Sequence, residues 1–475
     1  MRRFALVAAI LTITAPIFAA SVGKPTDVQL TIYNQNFALV KEDRDLVVEK
    51  GLNQVAVQDV ASSIEPTSVA FKSLSSPNSI SIREQNYQFD LVNVSTILDK
   101  SIGKKVRVTR YLDGKTEVSE GTLLSSAQNG IVIKTESGLI LNPSGEIEVM
   151  ELPEGLVSRS TLMWKLEAAE AGPQHAELSY LANDMTWSAN YVAVVDASDK
   201  YVDLTGWVTL TNNSGVTYNN AALNLMAGDV HLAPKPMPML YARAGVADMA
   251  SAAGGPAFTE KSFFEYHLYT LQGKTTVRNR ETKQITLLTA DSVPAKKIYV
   301  YDGRKDWWSE WQYGGYQPGE SYEVSANKKV TVTMEIVNKK ENNLGIPLPK
   351  GNMRVYKAED NGSQQFIGED SIDHTPRDEK VRLNLGDAFD IVGEHKRTNF
   401  KRINNRTVEE TFQISLRNHK DQQVNVLDVE HLTGDWTITE SSDKYFKKDA
   451  STVQIPVDVP ANGEKVITYT VRTKW

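Results

Sequence analysis

Cysteine is absent from all 475 residues. No disulfide can form, so stability must come from packed cores, even at an oxidising destination. There is also no cysteine to carry a lipid anchor, which excludes a lipoprotein. A basic excess is missing too: the formal net charge is −7, which argues against a nucleic-acid partner. The seven histidines never stand at H-x-x-x-H or H-E-x-x-H spacing, so no zinc site is signalled. Beyond the N-terminus, no stretch reaches the ~20 apolar residues of a membrane-spanning helix.

What is present begins with an export signal. Met1-Arg-Arg3 is positive, Phe4 to Phe18 is apolar, and the small residues Ala19-Ala-Ser21 follow. This pattern predicts a signal peptide over residues 1–20, cleaved after Ala19, Ala20 or Ser21. Its removal takes two arginines and no acid, leaving a chain more acidic still. The expected location is the periplasm or the extracellular medium. A hydrophobic content of 41% against 23% charged is that of a globular protein. The length implies more than one domain.

The rest is patterned for strands. In residues 178–232, Tyr191, Ala193 and Val195 alternate with Val192 and Val194, and Val208 and Leu210 alternate with Trp207 and Thr209. Period-two alternation broken by turn residues every 8–12 positions marks antiparallel β structure. Residues 21–90 read as a small N-terminal β domain, opened by Val28-Gln-Leu-Thr-Ile-Tyr33. Residues 91–153 hold five short strands with a hairpin signal at Asp113-Gly114, as in a small SH3-like or Sm-like barrel. RNA binding by such a barrel is disfavoured, because Lys100 to Lys134 supply seven basic residues against eight acidic ones from Asp99 to Glu151. Residues 154–350 are expected to form a β-sandwich core, with a strand from Phe263 to Leu271 and a mobile loop or linker at 233–262, where Pro, Ala, Gly and Met dominate. A C-terminal sandwich is expected over 351–475.

One pattern recurs: Val208-x-Leu210-x-Asn212, Met334-x-Ile336-x-Asn338 and Ile414-x-Leu416-x-Asn418. Two inward apolar residues lead to an asparagine that starts a polar turn. The unequal spacing makes this a shared strand–turn grammar rather than a proven repeat. Immunoglobulin-like sandwich units are its natural setting.

Tyr180 with Trp187 and Tyr191, Val208-Thr-Leu-Thr-Asn212 with Ser214-Gly215, and Leu223-Asn-Leu-Met-Ala-Gly228 together resemble the bacterial DUF4139 family, which includes the mucoidy inhibitor A-like proteins. The resemblance continues through Tyr266-His-Leu-Tyr269, Gly345-Ile-Pro-Leu-Pro349, Arg354-Val-Tyr356, His374-Thr-Pro376, Asn418-His-Lys420 and Ile467-Thr-Tyr-Thr-Val471, covering most of 160–475. Val28 to Ser68 is similar to the small β domain that often precedes it. The family has no established function, so the resemblance implies a fold and no activity.

Candidate chemistry is sparse. Trp307, Trp308, Trp311, Tyr313 and Tyr316 crowd into ten residues, with glycines at 314, 315 and 319. Flat rings stack on sugars or anchor a protein partner; the alternative is that they cap a core from a loop. His231, Met237, Met239 and Met249 offer soft donors for Cu(I), a weaker alternative, since Met is also a flexible gap-filler. Asp370 to Asp390 is acid-rich around His374, which suggests a hydrolase drawing on the 359–395 region, but no G-x-S-x-G elbow accompanies it. The last strand ends in Trp475, as outer-membrane barrel strands often do. The expectation is an exported, all-β, non-enzymatic binding or scaffolding protein of the envelope. Its partner is an envelope protein or glycan, and no cofactor is implied. A periplasmic hydrolase and an outer-membrane barrel are the alternatives.

Overall fold

Period-two alternation governs most of the backbone. In the strand Phe37–Val48 nearly every second side chain is buried, and Val28, Leu30 and Ile32 alternate inward on the strand Asp27–Tyr33. The computed structural model describes residues 18–474 except 76, 89–92, 113–114, 127–129, 152, 154–155, 157–158, 233–257 and 305–326. The described residues are nearly all β, in sheets of 11, five and 13 strands. Their α-helix, Val94–Lys100, was not expected; the Asn93 side chain caps it by accepting the Thr96 N–H at 2.9 Å. No helix among the described residues is long and apolar enough to cross a membrane.

Two units are distinguished. The first comprises Met1–Trp187, Leu210–His231 and Leu268–Lys283; the second comprises Ser188–Thr209, Leu232–His267 and Gln284–Trp475. In the first, the strand Phe18–Val22 reaches back into the expected signal peptide. Phe18–Ala20 run parallel to Asn53–Val55, and Ser21 and Val22 pair with Val47 and Leu46. The five-stranded sheet lies within residues 105–149 in the order Gly138–Leu141, Val132–Thr135, Lys115–Ser125, Lys105–Leu112, Glu146–Val149, all antiparallel. Val106, Val108, Leu123 and Ile133 form its core.

The recurring asparagines are one structural device used three times. Asn212, Asn338 and Asn418 are each at most 1% exposed, and the two apolar residues before each are equally buried. In the first unit, Asn212 Nδ2 donates to the carbonyls of Val216, Val277 and Arg278, and its Oδ1 accepts Ser214 N–H. In the second, Asn338 Nδ2 donates to Ile346 and Pro376 while Oδ1 accepts Gly345 N–H. Asn418 Nδ2 donates to Gln422, Val459 and Pro460, and Oδ1 accepts Lys420 N–H. Each side chain thus ties the turn after its own strand to a segment 38 to 66 residues further on.

The strands around these turns repeat as well. The strand ending before or at the asparagine pairs with a later strand: Lys329–Val337 with Lys380–Asn404, and Thr407–Asn418 with Gly463–Lys474, both antiparallel. The strand after the asparagine runs parallel to an earlier one: Tyr218–Ala227 to Asp27–Tyr33, Gly351–Ala358 to Met185–Val195, and Val424–His431 to Glu281–Tyr301. Buried amides that satisfy turn backbone in this way are expensive to remove. We expect Asn418→Ala to cost about 2–4 kcal/mol, because it orphans the Lys420 amide and three carbonyls together. The urea midpoint of the second unit reports this. Asn425→Ala, whose exposed amide meets only Asp458 at 2.9 Å, is the control, and equal midpoints for the two variants would remove the structural role.

Candidate functional site

Trp307, Trp308, Trp311, Tyr313 and Tyr316 lie outside the described residues, as do Met237, Met239 and Met249. His231 is described and exposed. The structure does describe the chain entering and leaving residues 305–326, and there the polar chemistry of the second unit converges.

Tyr301 Oη donates to the Asn327 carbonyl at 3.0 Å, and Asn327 Nδ2 donates back to the Asp302 carbonyl. Asn327 Oδ1 accepts Lys329 N–H at 3.0 Å. Asp302 Oδ1 accepts Arg304 N–H at 3.2 Å, and Asp302 Oδ2 lies 3.0 Å from His431 Nε2. The two ends are therefore tied to each other and, through His431, to the strand Val424–His431.

Beneath them lies a closed polar cluster. His395, on the strand Lys380–Asn404, is 3% exposed, and its Nε2 lies 3.2 Å from Glu430 Oε2. Tyr469 Oη donates to the same carboxylate oxygen at 2.5 Å. Asp428 is fully buried, and neither of its carboxylate oxygens has a hydrogen-bond partner among the described residues; Glu430 Oε1 is in the same position. The packing leaves no slack. A Cβ on Gly303 would come within 2.6 Å of His395 Cβ, and one on Gly393 within 2.1 Å of the Tyr301 ring. Only glycine allows these approaches.

Burial pushes the Asp428 carboxyl well above the usual carboxylate range, and the charges of Glu430 and Asp302 add to the shift. Burial pulls Glu430 the same way, but the charge and hydrogen bond of His395 and the Tyr469 hydroxyl outweigh it, so Glu430 ends below its ordinary value. Of the two carboxyls, Asp428 is therefore the one whose surroundings favour its protonated form. The hydrogen bond to Asp302 raises His431, against the opposing effect of burial. Burial also raises the Tyr301 and Tyr469 hydroxyls, which stay protonated as donors.

This geometry positions rather than reacts. His395 and Glu430 are both buried, and their bonds hold the cluster's members against one another. His374, the histidine of the expected acidic region, accepts the Lys350 N–H on Nδ1 at 3.2 Å. Asp370 accepts the backbone N–H groups of Ser371 and Asn384. Among the described residues no group of three or more His, Cys, Asp and Glu is placed to hold a metal ion.

Asp428 and Glu430 were not singled out from the sequence. A signal for them exists: the alternation that turns Val424 and Val426 inward continues to Asp428 and Glu430. The Asp302–His431 pair has no such signal, since 129 residues separate its members.

Strand content and the repeated turn device together define a nearly all-β protein. A family model described as a domain of unknown function, DUF4139, matches residues 176–475, and the chain belongs to that family. No curated protein matches the chain.

The proton on Asp428 gives stability a definite pH dependence. The folded chain keeps that proton where the unfolded chain releases it near 3.8, so the Asp428 contribution falls as pH rises from there through the folded value. The His431 contribution is complete below 6.5 and is lost as pH climbs through its raised value. Glu430 acts oppositely: its contribution is present above 4.5 and is lost as pH falls through its lowered value. The cluster is thus firmest in mild acid. Asp428→Asn mimics the protonated carboxyl in shape. We expect its thermal midpoint to fall less than that of the wild type as the pH is raised from mild acid to mild alkali, about pH 5 to about pH 8. Parallel curves would show that Asp428 is not the group holding the proton.

Proposed function

We propose that the chain is an exported, non-enzymatic binding or scaffolding protein of the cell envelope. Its contact residues are the aromatics of the 305–326 stretch: Trp307, Trp308, Trp311, Tyr313 and Tyr316. The observation that carries this reading is the pinning of both ends of that stretch. Tyr301, Asp302 and Asn327 hold one another, and Asp302 reaches His431 over a buried cluster. A contact segment tied down at both ends loses less freedom when it binds. Tryptophan and tyrosine are the residues that anchor partners or stack on sugar rings.

The architecture that presents the stretch is, in this reading, a series of immunoglobulin-like sandwich units. The three asparagine-tied blocks, each with a parallel strand pairing beside antiparallel ones, support it. The sheet at 105–149 is taken as an SH3-like or Sm-like barrel acting as a spacer or docking module. The apolar run and small residues at the N-terminus support export to the periplasm or beyond.

A pull-down from native envelope extract tests this, analysed for proteins and glycans. The bait is the chain itself, beside a variant with Trp307, Trp308 and Trp311 changed to Ala. We expect a partner captured by the wild type to be lost, by about tenfold or more, with a variant whose unfolding is unchanged. Equal capture by both would make these rings structural.

A further inference from the structure

The strand expected to run from Phe263 to Leu271 is interrupted. Phe258–Phe263 and Tyr266–Val277 are separate strands, neighbours in their sheet, joined by Phe264 and Glu265 alone. No glycine, proline, asparagine or aspartate marks the turn, which is why alternation conceals it. Phe264 takes φ 57°, in the left-handed region. Two-residue hairpin turns fill such positions with Gly, Asn or Asp, because a bulky side chain is strained there.

Among the described residues the strain brings little burial in return. Phe264 is 82% exposed and Phe263 51%. The Phe264 ring stands 6.2 Å from Tyr266, and Glu265 between them is exposed. Behind the tip, His267 Nδ1 lies 2.7 Å from Glu260 Oε1, bracing the hairpin. A phenylalanine held in an unfavourable conformation with its ring in water marks a site whose benefit lies outside the fold.

We propose that this hairpin tip is a docking plug for a partner protein that presents a concave apolar cleft with Lys or Arg at its lip. The tip is convex, so its complement is concave. Glu265 follows Phe264 at the tip, and its exposed carboxylate calls for a cation at the rim. A lipid bilayer fits less well. It rewards apolar area wherever the chain carries it, so it does not repay a strained backbone that fixes one ring's direction. A carboxylate at the apex also opposes insertion. A second copy of this chain fits less well too. Its groove lined by Val94, Ile97, Leu98, Ile131, Ile147 and Val149 is apolar, but Glu151 stands in its lining and would meet Glu265 with like charge.

The test is a photocrosslink from the tip. The full chain carries p-benzoylphenylalanine in place of Phe263 and is irradiated in native envelope extract. Adducts are mapped to the residue by mass spectrometry. Phe264→Asn and Glu265→Lys are each added to the same chain. The expected result is adduct formation on one protein, at residues of an apolar cleft bordered by Lys or Arg. Either added substitution lowers the yield by about tenfold or more, as for a central anchor. Phe264→Asn meanwhile raises the thermal midpoint, because asparagine accepts the left-handed conformation. Stability and binding thus move in opposite directions, which a merely structural phenylalanine does not allow. Adducts on lipid, on a second copy or scattered over many proteins overturn the proposal. So does a yield indifferent to either substitution, or a midpoint that falls with Phe264→Asn.

Discussion

A buried side-chain amide at the end of a strand is the interaction on which the rest of the fold depends. Strands supply their own hydrogen bonds, but the turns between them do not. A turn packed against a core has backbone groups that water cannot reach. An asparagine answers this with one oxygen that accepts and two N–H groups that donate. Asn212, Asn338 and Asn418 each spend both ends of the amide on backbone, inside their own turn and at a distant one. Each therefore fixes where a later strand must start relative to an earlier one. Neither aspartate, which lacks the donors, nor leucine, which lacks both, can substitute.

The second unit tolerates what the asparagines avoid. Its third block carries two carboxylates into the core on one strand, Asp428 and Glu430, and leaves three of their oxygens without hydrogen bonds among the described residues. Burying a bare charge is far more costly than burying a proton-bearing acid. The arrangement is tenable because one carboxyl keeps its proton and the other meets His395 and Tyr469. The apolar neighbours stay close: Phe412 lies 5.1 Å from His395 and 5.3 Å from Tyr469. The stability of this corner is accordingly tied to proton concentration, whereas the side-chain amides that tie the three turns do not titrate.

What could be read from residue order follows the same division. Val208-x-Leu210-x-Asn212 and its two echoes are local, since a strand's last inward residues and its turn lie within five positions, and the structure makes all three the same device. The strands of residues 105–149 lie close to where alternation and turn residues placed them. Three kinds of feature escaped. The helix Val94–Lys100 opens with Val, Ser and Thr, poor helix formers, and depends on its Asn93 cap. The turn at Phe264–Glu265 uses residues that turns ordinarily reject. The polar corner is assembled from residues 302, 395, 428, 430, 431 and 469, and no local pattern registers a meeting across that separation. Asp428 and Glu430 were nonetheless half-legible: they occupy the inward phase of their strand, where an acid is out of place.

That phase also explains why the polar corner sits where it does. Along Val424–His431 the inward residues change from Val424 and Val426 to Asp428 and Glu430. The first pair belongs to the dry core with Ile414, Leu416, Val457 and Ile467. The second pair faces the end of the neighbouring strand, where Tyr301 gives way to Asp302 and the chain leaves the sheet. A strand end must satisfy backbone and side-chain groups that the ladder no longer serves. Hydrophobic residues placed there would seal the core but hold nothing. Through Asp302 the departing chain bonds to His431, and Asn327 catches it on its return. The chain therefore leaves the sheet at Asp302 and is held again at Asn327, the two described points that flank the aromatic residues in sequence.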